Sequence, residues 1–121
     1  YALTPYHGTF NALAAARRGM EETRPLLAAP AGAEQTGVAS AVTVDAAGVL
    51  ATSVRPAPEG EGLLVRLFAA SGKPETVSLQ LNGRAPARVT LTDPDGYGEE
   101  RVELPLRMPA WGVRTVRLEA E

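Results

Sequence analysis

GLLVRLFAASGKPETVSLQL, residues Gly62 to Leu81, decides the fold of this chain. Leu63, Leu64, Val65, Leu67 and Phe68 form an apolar run interrupted only by Arg66. A run this short and this apolar fits a strand covered on both faces, or nearly so. Ser71-Gly72-Lys73-Pro74 supplies turn chemistry, because Gly tolerates positive φ and Pro fixes its own. Beyond it, Val77, Leu79 and Leu81 alternate with Thr76, Ser78 and Gln80. A period of two places the apolar side chains on one face and the polar ones on the other. This pair is expected at the centre of an antiparallel β-sandwich, wrapped by the rest of the chain.

Working outward, turn signals separate further strand patterns. Val38 to Val44 and Val49 to Arg55 flank Asp45-Ala46-Ala47-Gly48. Asn82-Gly83, the strongest two-residue hairpin signal, leads into Arg84 to Thr92. Asp93-Pro94-Asp95-Gly96 is another turn. Val102, Leu104 and Leu106 alternate with charged residues, and Pro105 inside that run points to a sheet edge. Trp111 to Leu118 is the last strand, with Val116 and Leu118 inward. The pattern predicts a mainly β fold: an antiparallel β-sandwich of about seven strands after one N-terminal helix.

That helix begins after Thr9, a plausible N-cap. Phe10, Leu13, Ala14 and Met20 share a face, and Pro25 stops the helix at or before Arg24. Tyr1 to Leu3 reads as the end of a strand whose beginning lies upstream, and Leu26 to Gly37 as an Ala-Gly-Pro connector. Residues 1–37 thus hold a strand remnant, a helix and a connector, and residues 38–121 the C-terminal β-sandwich. Tyr1 is not an initiator Met, so the chain is expected to be cut from something longer.

At 121 residues the chain is long enough for a single core. Only 5% of it is aromatic, so that core should rest on Leu and Val. Twelve basic residues against 14 acidic ones leave a net charge of −2. There is no basic stripe for phosphates, which argues against nucleic acid. Lys73 is the only lysine, and the Arg, Ala, Gly and Pro bias is that of a GC-rich bacterial coding sequence. With no cysteine, disulfides, thiolate metal sites and cysteine nucleophiles are excluded. No apolar run approaches the ~18 residues that cross a bilayer, and no leader pattern opens the chain. A bacterial cytoplasmic location is the expectation.

Individual residues offer little chemistry. His7, the only histidine, is expected to be a loop residue hydrogen-bonded to backbone; as a base or ligand it would need companions. Asp93, Asp95, Glu99 and Glu100 hint at calcium, but the EF-hand spacing is missing and a solvated turn is the expectation. Glu99 and Glu100, adjacent on a strand, point to opposite faces and cannot flank a sugar as a glycosidase pair. Trp111 would either plug one end of the sandwich, the expected role, or stack on a sugar ring. Ser40, Ser53, Ser71 and Ser78 lie in no nucleophile motif.

Two stretches carry a resemblance. VRPAPEGEGLLVRLFAASGKPETVSLQL, followed by MPAWGVRTVRL, resembles the C-terminal β-domain of glycoside hydrolase family 38, the α-mannosidases. The features are Arg55, the acidic Glu59 to Gly62 loop, Leu63 to Phe68, Ser71-Gly72, then Pro109, Trp111, Thr115, Arg117 and Leu118. Tyr1-Ala2-Leu3, Pro5 and His7 are similar to a motif of the family's central β-region, although Tyr6 here separates Pro5 from His7. The resemblance covers nearly the whole chain but only the end of the family's length. It implies a parent that hydrolyses α-mannosides with retention, using zinc and a carboxylate pair in an N-terminal catalytic domain. None of that machinery lies in these residues, so no catalytic, binding or metal residue carries over. The implied partners are the catalytic and central domains and, through the parent, a mannoside. The chain alone is expected to be inactive. The other reading from sequence is a stand-alone carbohydrate-binding or protein-interaction β-sandwich.

Overall fold

The computed structural model describes residues 3–24, 26–30, 32 and 40–121. The chain divides into two compact units, Tyr1–Val38 and Ala39–Glu121.

The first unit is built on α1 (Ala12–Thr23). Its N-cap is Asn11 rather than Thr9: the Asn11 side chain accepts from the Ala14 amide at 3.0 Å. Asn is among the strongest N-cap residues, so the later cap wins. The helix closes at Arg24, whose N–H donates to the Met20 carbonyl at 2.9 Å. None of its residues is buried. Leu3 is fully exposed and outside any strand; Tyr1, Ala2 and Pro25 lie outside the described residues.

The second unit holds eight strands: β1 (Val42–Asp45), β2 (Val49–Pro56), β3 (Leu63–Ala69), β4 (Glu75–Leu81), β5 (Arg88–Thr92), β6 (Glu100–Val102), β7 (Leu106–Met108) and β8 (Val113–Glu119). They form two antiparallel sheets, ordered β2-β3-β8-β5-β6 and β1-β4-β7. The mainly β, sandwich-like fold is thus as expected, with finer differences. The first strand is short: it starts at Val42, with Ser40 and Ala41 outside it and Val38 and Ala39 outside the described residues.

Three differences have local causes. The strands of the deciding stretch are not hydrogen-bonded to each other. β3 lies in one sheet and β4 in the other, and Ser71 to Pro74 carries the chain across the sandwich. Asn82-Gly83 does form its turn, with positive φ at both residues (51° and 75°). The Leu81 and Arg84 backbones exchange hydrogen bonds of 2.8 and 3.1 Å. The hairpin ends there, because Pro86 has no N–H to extend a ladder, and β5 joins the opposite sheet. Pro105 acts similarly: it splits the expected single strand into β6 and β7, each an edge strand of a different sheet.

The core lies between the sheets. Val65, Leu67 and Ala69 of β3 meet Val77, Leu79 and Leu81 of β4, joined by Val49, Val89, Met108, Val116 and Leu118. Val65, Leu67, Val77, Val116 and Leu118 have no exposed surface. No aromatic side chain belongs to this cluster.

Candidate functional site

The outer faces of the two sheets differ in chemistry. On the three-stranded sheet, the outward positions are Thr43, Asp45, Thr76, Ser78, Gln80 and Arg107, an ordinary solvent face. On the five-stranded sheet, the register stacks outward residues into rows. One row runs Arg55, Leu64, Arg117, Thr90 and Arg101. The next runs Ser53, Arg66, Thr115 and Thr92, and the one after it Leu50, Phe68 and Val113. The face therefore grades from cationic to apolar along the strands.

Loops fold over the cationic end. Leu64 points outward yet is 1% exposed, because the loops after β2 and β5 close over it. A Cβ built on Gly96 would lie 2.4 Å from Leu64 Cδ1 and 2.9 Å from Pro58 Cδ, and Gly96 has φ +101°. Only glycine fits that approach with that backbone. Arg55 latches the same loop by donating to the Pro94 carbonyl at 2.6 Å; Arg66 reaches that oxygen at 3.5 Å. Thr92 Oγ1 donates to the Asp93 carbonyl at 2.9 Å. Glu119 is the one carboxylate among these outward positions. Its Oε1 lies 2.9 Å from Arg117 Nε, in contact though not aligned as a hydrogen bond, and its Oε2 lies 3.7 Å from Arg88 Nη1.

An open groove of about 400 Å³ is lined by Arg66, Thr92, Val113 and Thr115 from these rows, by Pro94, and by Leu91 and Arg114, which the register places on the core side of the sheet. Trp111 lies just beyond it. Its ring centroid is 6.2 Å from that of Phe68, and Phe68 pairs with Val113 across the strands. Trp111 was expected as a buried plug; it is 54% exposed. The reason is parity: Phe68 and Val113 both face outward, so the aromatic residues gather outside the sandwich.

The remaining sequence candidates do not converge. Asp93 Oδ1 accepts from the Gly96 and Tyr97 amides at 2.8 and 2.9 Å, so it shapes its own turn. No three His, Asp or Glu side chains come together as metal ligands among the described residues. His7 is exposed and makes no hydrogen bond to another described residue, unlike the expected backbone-bonded histidine. It lines a cleft of about 680 Å³ between its own loop and α1, with Tyr6, Phe10, Arg18 and Glu22. Arg18 pairs there with Glu22 and lies 3.4 Å from Thr4 Oγ1. The sequence alone does not show the outer-face alignment: the two arginines of β8, Arg114 and Arg117, are three positions apart and fall on opposite faces, so no alternation marks it.

No helix among the described residues is long and apolar enough to cross a membrane. Compared with protein-family models, curated proteins and solved structures, the chain matches none.

Proposed function

We propose that this chain is the non-catalytic C-terminal β-sandwich portion of an α-mannosidase-like glycoside hydrolase. Its role is to pack against the catalytic and central domains of a parent that performs zinc-dependent, retaining hydrolysis of α-mannosides. One observation carries the reading. The two segments that bear the resemblance, GLLVRLF and VRTVRL, are far apart in sequence yet are adjacent strands, β3 and β8. Val65 faces Val116, and Arg66 faces Thr115, inside the larger sheet. These two segments of the resemblance therefore lie side by side within the second unit.

The residues here do not fit a zinc site, since His7 is alone and no cluster of ligands forms among the described residues. In this reading the metal and the carboxylate pair belong to the catalytic domain. The test is turnover of an aryl α-mannoside. Pure, zinc-supplemented chain should give none, and the product of the natural open reading frame should give it. Activity that stays with the isolated chain through a second purification overturns the reading, as does a reading frame encoding no further domain.

A second reading, a stand-alone carbohydrate-binding sandwich, is favoured by the exposed Trp111 alone. Trp111 is the only tryptophan, so its fluorescence reads that reading directly. Saturable quenching by methyl α-mannoside would support it.

A further inference from the structure

Two guanidinium groups meet at one oxygen in the second unit. Arg55 Nη2 lies 2.6 Å and Arg66 Nη2 3.5 Å from the Pro94 carbonyl oxygen. The two nitrogens are therefore separated by no more than those distances laid end to end. Both side chains leave the same face of the sheet. Arg55 pairs with Leu64 and Arg66 with Ser53, positions that alternate with the core residues Val65 and Leu67. Neither arginine makes an ion pair with a described carboxylate. Asp93 turns its Oδ1 to the amides of Gly96 and Tyr97, and Glu119 lies against Arg117 and Arg88. Like charges held this close repel, and arginine cannot relieve the repulsion by losing its proton. The Pro94 carbonyl brings only a partial charge and engages one N–H of each group, so most of their donors remain for a second acceptor.

Beside the pair is a hydroxyl without a partner. Thr115 is the cross-strand neighbour of Arg66 on the same outward row, and it is 6% exposed. Its backbone carbonyl accepts from Thr92 Oγ1 at 3.3 Å, but its own hydroxyl makes no hydrogen bond to another described residue. A polar side chain buried to that degree is ordinarily paired. Arg66, Pro94 and Thr115 all line the open groove, so Thr115 and the residue at which the two arginines meet border one space. These donors select the ligand. The two oxygens of a carboxylate fill a single guanidinium fork. A tetrahedral oxyanion has oxygens for both forks and for a hydroxyl as well.

We infer that Arg55, Arg66 and Thr115 form a binding site for a tetrahedral oxyanion, either inorganic phosphate or the phosphate group of a small monoester lying along the groove. The two guanidinium groups hold its oxygens, and Thr115 donates its hydroxyl. The bound anion ties β2 and β3 to the loop after β5, one of the loops that cover Leu64. This site stands independently of the glycosidase reading.

Inorganic phosphate titrated at low-millimolar concentration into the chain, followed by isothermal calorimetry, tests it. The heat should saturate, and added sodium chloride should weaken the binding, as screening requires. In the unaltered chain, phosphate should shift the amide resonances of Arg66, Thr92 and Thr115 and leave those of α1 in place. Arg55→Gln/Arg66→Gln should weaken binding about tenfold or more, and Thr115→Val several-fold, with circular dichroism checking that each variant folds. Where a variant does not fold, the shift map of the unaltered chain decides. Methyl phosphate separates the two sources: affinity equal to that of phosphate supports a monoester, and much weaker affinity supports the free ion. An absence of saturable heat overturns the inference. So do shifts confined to residues away from β2, β3, β8 and the loop after β5, and binding that survives the loss of both arginines. Acetate bound as tightly as phosphate overturns the choice of a tetrahedral ligand.

Discussion

Trp111 and Gly72 are in direct contact across two turns: a Cβ added to Gly72 would lie 2.5 Å from Cζ2 of the indole. Gly72 also has φ +74°, so the position excludes other residues twice, by backbone conformation and by space. The turn between β3 and β4 and the turn before β8 therefore fix each other.

Gly72→Ala should lose roughly 2–4 kcal/mol, combining the left-handed backbone cost with overpacking against the ring. Urea unfolding followed by far-UV circular dichroism measures it. Adding Trp111→Ala should recover the overlap part and leave the backbone part, so the two changes should not be additive.

Val65 and Leu79 face each other's sheets across the core, 0% and 2% exposed. Val65→Asp or Leu79→Asp buries an unpaired carboxylate, which should cost several kcal/mol, on the order of the whole stability of such a domain. A urea midpoint close to that of the parent sequence would refute the inward assignment.

Asp93 closes its loop by accepting from two backbone amides. Asp93→Ala should cost roughly 1 kcal/mol, because the donors it serves sit at a partly exposed turn. Millimolar calcium should leave the melting temperature of the original chain unchanged. A calcium-dependent rise that Asp93→Ala abolishes would show instead that the loop binds the ion.

Amide exchange should separate the two units. α1 has no buried residue, and an isolated helix of 12 residues is marginal in water. Its amides should exchange much faster than those of Val65 and Val116, which sit in adjacent central strands. Equal protection of Leu13 and Val65 in a dilute monomer would contradict this.

Alternation made the inward residues legible. Val77, Leu79 and Leu81, and Val116 and Leu118, all face the core as their period of two requires. What alternation does not encode is which sheet a strand joins. Asn82-Gly83 is a strong local hairpin signal, but it competes with Pro86 three residues later, and the missing N–H decides. Pro105 was read as an edge marker, and β6 and β7 are edges, but its larger effect is to send them to different sheets. The outer-face groove was invisible for a related reason. Arg66 and Thr115 are 49 residues apart and become neighbours only through the β3–β8 register. The placement of Trp111 depended on that same register, through Phe68 and Val113.

Most successive strands lie in opposite sheets, and only β2 with β3 and β5 with β6 are sequence neighbours that also pair. β8, the last strand in chain order, sits in the middle of the five-stranded sheet, between β3 and β5. During synthesis, β2 and β3 can form an early hairpin, but β3 and β5 have nothing to join them until Val113–Glu119 has been made. Such non-local pairing slows folding and leaves strand edges open meanwhile. A ribosome-bound chain stopped before Val113 should therefore be the species most prone to aggregate, and synthesis of Val113–Glu119 should commit the whole sandwich at once.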